Sequence, residues 1–199
     1  MDMEKPPATL DKKCFIQISH ILLVALILRV LLMAGFVLGD DPFYGAYARM
    51  MIQGQYPLLC DSCVFVFRPV LLLFVALSLK FFGWSEFSFV LPILVSSLVS
   101  IYLIYELGKH LFDRAAGLLA AAFLGVFPLD VVHASTMTND IMLNMFLALS
   151  LYLFLKAFER DRTQAWILFA LSGIILGISM GVKTNSFPVV GLFIQIAIY

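Results

Sequence analysis

Long apolar runs alternate with short polar interruptions along this chain, and most of the runs are too long for the buried elements of a water-soluble core. Five stretches, at about 15–38, 88–107, 115–132, 141–158 and 164–182, come close to or exceed the roughly 20 apolar residues that carry a helix across a bilayer. A sixth begins near 186 and is incomplete at Tyr199, so the pattern predicts that residues 1–199 are the N-terminal part of one longer transmembrane unit. The first run is longer than the ~7–15-residue core of a cleaved signal, and no small-residue cleavage pattern follows it before Gly39-Asp40-Asp41; it reads as a retained anchor. No internal repeat, low-complexity tract or flexible linker divides the chain. The expectation is an all-α polytopic membrane protein.

The run from Pro69 to Gly83 is apolar but short, closer to an interfacial or re-entrant helix than to a span. Charge decides between these readings. If it does not cross, Lys5, Lys12, Lys13, Lys109, Arg114, Lys156, Arg160 and Arg162 share one side and Arg49, Arg68, Lys80 and Lys183 the other, a split of eight to four. Crossing leaves five inside against seven outside, so the positive-inside rule favours a helix that stays at the surface. The N-terminus is then cytoplasmic, and Asp40, Asp41, Arg68, Asp140 and Lys183 lie together on the outer or lumenal side.

Composition narrows the function further. The chain is 62% hydrophobic and 13% charged, about half the ~25% charge of an ordinary soluble domain. Thirteen basic residues balance thirteen acidic ones, which leaves no excess to neutralise a nucleic-acid backbone. Membrane lipids are the environment that remains.

The long outer loop, 39–87, carries the candidate chemistry. Asp41-Pro42 reads as an Asp cap followed by proline at the first helical position, with Tyr44, Tyr47, Ala48 and Met51 on one face and Gly54 ending the helix. Two adjacent carboxylates where an apolar span ends are costly beside lipid unless they meet water, a metal or a substrate. Arg68-Pro69 starts the second short helix and offers a cation suited to phosphate. Asp140 reads as a helix cap and Lys183 as a snorkelling lysine, each at the outer end of a span.

Other residues receive structural readings. Arg29 lies inside the first span and is expected to face the bundle and pair with a partner. His133 reads as a satisfied interfacial histidine, Cys60 and Cys63 as a small disulfide in the outer loop, and Cys14 as a buried thiol. Gly173, Gly177 and Gly181 form small-x-x-x-small steps that favour close helix packing.

Taken in order, several landmarks resemble the large membrane glycosyltransferases of the GT-C fold, in the branch of protein mannosyltransferases and aminoarabinose transferases. They are Arg29 in the first span, Gly39-Asp40-Asp41 with Tyr44, Ala46 to Gly54, Arg68-Pro69, and Phe82-Gly83-Trp84-Ser85-Glu86-Phe87-Ser88 leading into Leu91-Pro92. Tyr105-Glu106-Leu107-Gly108-Lys109, Phe127-Pro128 and the helix of Asp140 complete the set. The resemblance implies a GT-C-like transmembrane bundle whose outer loop carries short interfacial helices. It also implies transfer of a sugar from a polyprenyl- or dolichyl-phosphate carrier to a protein, lipid or glycan acceptor at the outer or lumenal face. Asp40 is implied as general base, Asp41 as the residue orienting acceptor or sugar, and Arg68 and Lys183 as cations for the leaving phosphate. Asp140 and Tyr44 are implied as substrate-binding residues. Relatives often place an acidic residue before a Lys-Pro where this chain has Phe67-Arg68-Pro69, and a Pro-Pro pair where it has Pro69-Val70. Losing that carboxylate argues against a bound metal, and Asp40, Asp41 and Asp140 are the oxygen ligands left to gather a divalent cation.

A competing reading is a transporter or flippase of a lipid-linked or small anionic solute, since intramembrane charges also line transport paths. That reading calls for a polar site near the midplane, broken helices and an internal repeat. A scaffold without catalysis, in which the acidic pair only caps a helix, is the third.

Overall fold

A computed structural model describes residues 8–37, 39–56, 67–183, 191 and 193, with side chains from Phe15 onward. Among the described residues the chain forms eight helices: α1 (Ala8–Leu31), α2 (Asp41–Ile52), α3 (Pro69–Phe82), α4 (Glu86–Leu111), α5 (Arg114–Val126), α6 (Pro128–Ala134), α7 (Asn139–Ala157) and α8 (Arg162–Met180). Apart from Gly191 and Phe193, the sixth run, from 186, lies outside the described residues, as do the Cys60–Cys63 pair and the side chain of Cys14.

Three helices, α4, α7 and α8, are each long and apolar enough to cross a membrane. The protein is an all-α polytopic membrane protein, as its hydropathy pattern predicts. The run at 115–132 forms two helices, α5 and α6, which together are long and apolar enough for one span but are bent by 60°. Pro128 has no N–H to continue the ladder and its ring disfavours a helical carbonyl behind it, so Phe127 takes an extended conformation (φ −63°, ψ 117°) and the axis turns. The first span also departs from expectation. Its helix begins at Ala8 and ends at Leu31 rather than at 38, because Ala34 N–H leaves the helical ladder for the Ser135 carbonyl (3.1 Å) and Gly35 turns left-handed (φ +68°).

Short connectors make α4–α5 and α7–α8 antiparallel hairpins, and each is sealed by contacts the sequence supplies. Asp113 caps α5 by accepting from Ala116 N–H (2.8 Å), and Ser85 caps α4 through Ser88 N–H (3.1 Å). At the α4–α5 turn the backbones touch: a Cβ on Gly117 would lie 2.5 Å from the Tyr105 carbonyl oxygen. In the second hairpin Ser150 and Ser172 each donate to the other's carbonyl at 2.8 Å, a polar tie between apolar helices. Of the glycine steps on α8, Gly181 packs against Val70, while nothing described lies near Gly173 or Gly177.

The α3 helix is fixed to the bundle at both of its ends. Its Val70 N–H donates to the carbonyl of Gly181, at the end of α8, and Ser78 Oγ donates to the carbonyl of Ser88, in the first turn of α4. Between them Phe74 packs on Phe146 of α7. The helix therefore lies across one end of the bundle instead of threading it. The main core cluster forms beneath it from Leu71, Leu72, Val75, Val90, Ile93 and Met142, joined by Tyr44 and Ala48 of α2.

Candidate active site

The acidic pair is held by the segment leaving α1. Phe36 stacks on Phe89 of α4 with ring centres 4.4 Å apart, and the Glu86 side chain fills the place where a Cβ on Gly35 would be. This anchors residues 33–37 against α4 and presents Val37 N–H to the start of α2. Asp41 Oδ2 accepts that N–H at 2.9 Å.

The expected Asp41 cap is thus corrected. Helix α2 starts at Asp41 itself, and the capping position belongs to Asp40, whose carbonyl accepts from Phe43 and Tyr44 N–H. The Asp40 carboxylate makes no capping bond and is exposed. Asp41 is 7% exposed, and burial pushes its carboxyl above the usual carboxylate range. The neighbouring Asp40 charge acts in the same sense, against the Val37 N–H. The pair is therefore unequal: one carboxylate is open and the other is buried and committed to the backbone.

The face predicted for α2 is the one that packs. Tyr44 and Ala48 are buried, with Tyr47 and Met51 partly so, and Gly54 ends the segment in a left-handed conformation (φ +72°). Arg68 caps the start of α3 with its carbonyl toward Leu72 N–H, and its guanidinium lies over the Tyr44 ring at 5.5 Å. Tyr44 is one helical turn from Asp40, so the stack ties Arg68 to the helix that the acidic pair begins.

Asp140 and Lys183 meet at the same end. Lys183 Nζ donates to Asp140 Oδ1 at 2.6 Å, with the side chains 25% and 51% exposed. The reading of Asp140 as a helix cap fails: Thr138 holds the capping position, and the Asp140 carboxylate turns to the lysine from the first turn of α7. Lys183 correspondingly does more than snorkel. His133 is satisfied, as expected, by Thr138 Oγ1 at 3.2 Å.

Among the described residues, no group of three or more His, Cys, Asp or Glu side chains is gathered so as to hold a metal ion. Asp40, Asp41 and Asp140 do not assemble an oxygen cage, because Asp41 is committed to Val37 N–H and Asp140 to Lys183.

Sequence reasoning gave Arg29 a partner without naming it. Arg29 is wholly buried and donates to Asp130 Oδ2 (2.5 Å), Ser97 Oγ (2.9 Å) and the carbonyls of Gly125 (2.9 Å) and Ala25 (3.0 Å). Ser97 also donates to Asp130 at 2.8 Å. The break at Phe127-Pro128 leaves Gly125 O without a helical partner, and the guanidinium supplies one. Asp130 was legible as the acid that follows that proline inside an apolar run.

An all-helical set of apolar spans, with carboxylates and cations gathered at one end, defines a polytopic membrane protein organised around a polar site at one face. The chain belongs to the dolichyl-phosphate-mannose-protein mannosyltransferase family, whose sequence profile matches residues 68–199. That match begins at Arg68, downstream of Asp40 and Asp41. The chain is also 26% identical over 176 residues to a protein of Bacillus subtilis (strain 168) named "Putative mannosyltransferase YkcB". The alignment covers 84% of this chain and 24% of that protein, so the chain spans about a quarter of the length of the curated relative it matches. No solved structure matches the chain.

Proposed function

We propose that the protein is a membrane glycosyltransferase that moves a sugar, mannose or another hexose or pentose, from a polyprenyl- or dolichyl-phosphate carrier to an acceptor hydroxyl of a protein, lipid or glycan. Transfer takes place at the outer or lumenal end of the bundle. Family membership and the name of the relative support the reaction class. The observation that carries the site is the exposed Asp40 carboxylate, uncommitted to any cap, at the end where Arg68 and the Asp140–Lys183 pair also lie.

Asp40 takes the proton of the acceptor hydroxyl as its oxygen attacks the anomeric carbon. The bond from that carbon to the carrier phosphate breaks, and the phosphate leaves with the electron pair. Arg68 and Lys183 stabilise the charge that grows on it. Lys183 reaches the phosphate by sharing or releasing Asp140, and the carboxylate so released can accept from sugar hydroxyls. Asp41 holds the turn that aims Asp40, and Tyr44 keeps Arg68 in place by stacking.

One observation favours transport instead: the broken α5–α6 span carries a buried ion pair. Yet Arg29 sits only two residues from the end of α1, and among the described residues every buried side-chain nitrogen and oxygen has a partner.

The test is transfer of radiolabelled sugar from polyprenyl-phosphate donors in membranes containing the full-length protein, with Asp40→Asn at matched expression. A general base contributes about 100-fold or more, so the variant should lose nearly all transfer. An Asp40→Asn variant as active as an active wild type overturns the assignment.

A further inference from the structure

At the end of the bundle opposite the acidic pair, a cleft of about 160 Å³ opens between α1, α4 and α5. Lys109, Arg114 and Glu106 supply its charged lining, and Tyr102, Phe15 and Ile18 part of the rest. Tyr102 also lines a second, almost wholly apolar groove of about 510 Å³ that continues along the α1–α4 seam past Leu22, Leu26 and Val99. The polar cleft and the open apolar groove thus adjoin at Tyr102.

The charges at this end are divided unevenly. On the α7–α8 connector Glu159 takes both Lys156 (2.9 Å) and His110 (3.2 Å), and its carboxyl is held below the usual range, chiefly by the Lys156 hydrogen bond. The α4–α5 connector is bound more loosely. Lys109 is 3.7 Å from Glu106 and lies over the Tyr105 ring at 5.5 Å, and among the described residues Arg114 reaches Gln17, at 3.5 Å. Asp113, between them, is committed to the α5 cap. Glu106 is shared between Lys109 and Tyr102, so two cations face one carboxylate that is already engaged.

We propose that this cleft and groove form a binding site for an anionic phospholipid of the leaflet opposite the acidic pair. Lys109 and Arg114 receive the phosphate, and an acyl chain lies past Tyr102 between α1 and α4. The charge complementarity selects an anionic headgroup over a zwitterionic one. The groove selects a lipid over a soluble phosphate, because only the lipid covers its apolar walls. The inference concerns the far end of the bundle and stands apart from the proposed transferase site.

Native mass spectrometry of the purified full-length protein with phosphatidylglycerol or phosphatidylcholine of matched chains tests it. Wild type should retain phosphatidylglycerol in preference. Lys109→Ala/Arg114→Ala should lower that retention at least fivefold, while Lys109→Arg/Arg114→Lys keeps it. Val99→Trp, which fills the groove and leaves the cations in place, should also lower it. Arg160→Ala/Arg162→Ala, on the other connector, should leave it unchanged. Equal retention of both lipids, no loss in the Lys109/Arg114 or Val99 variants, an equal loss in the Arg160/Arg162 variant, or displacement of the lipid by millimolar inorganic phosphate would each overturn the proposal.

Discussion

Arg29 and Asp130, 101 positions apart in the chain, meet at 2.5 Å beside the break between α5 and α6. The guanidinium serves α1, α4 and both halves of the broken span at once, so its removal leaves a carboxylate without a counter-charge and a carbonyl without a donor. Arg29→Leu should destabilise the protein by about 3–5 kcal/mol, and Arg29→Leu/Asp130→Leu should recover much of that loss. Thermal unfolding in detergent reads both. A double variant as unstable as the single one would show that the ion pair is not the origin of the cost.

The buried Asp41 carboxyl predicts an inverted pH response. Its folded pKa is raised above the unfolded value, so the stability it contributes is complete below the ordinary value of about 3.8 and is lost as pH rises through the folded value. Asp41→Asn keeps an acceptor for Val37 N–H and does not titrate. Its unfolding midpoint should therefore rise relative to wild type between acid and neutral pH. A difference that stays flat with pH would exclude burial as the dominant influence on this carboxyl.

Glycines on two helices should respond oppositely to alanine. Gly117→Ala drives a Cβ against the Tyr105 carbonyl and must part the α4–α5 hairpin, at a cost of about 1–3 kcal/mol. Gly173→Ala meets nothing described and should gain up to about 1 kcal/mol from helix propensity. Circular dichroism melts of the two variants distinguish them, and a stable Gly117→Ala would contradict the backbone contact.

The Asp140–Lys183 pair should matter more to activity than to folding. Both side chains are partly exposed, so Lys183→Ala should cost no more than about 1 kcal/mol of stability. If Lys183 meets the carrier phosphate, the same variant should lower transfer tenfold or more and raise KM for the donor. Unchanged donor kinetics would leave the lysine a purely structural partner of Asp140.

How much of this was legible depended on the range of the interaction. Helix α2 and its end at Gly54, and α3 between Pro69 and Gly83, follow from proline, glycine and spacing, all readable within a few residues. The spans followed from hydropathy, but averaging over a window hid the 60° bend that Pro128 puts into the run at 115–132. Partners far apart in sequence were the harder part. Arg29 demanded an acid, and Asp130 was one of several near the end of another apolar run, so pairing them required knowing that α1 packs beside the break. Asp140 and Lys183 were expected on one side without being joined, and Asp41 was assigned to its own helix because nothing local announces that Val37 N–H points back at it.

The junction of α3 with α8 has a further consequence. Arg68 precedes Val70 by two residues, Lys183 follows Gly181 by two, and a single backbone hydrogen bond joins Val70 to Gly181. The two cations are therefore mounted on opposite sides of one clasp. The two side chains proposed to meet the carrier phosphate are thus delivered by neighbouring stretches of main chain that belong to different helices.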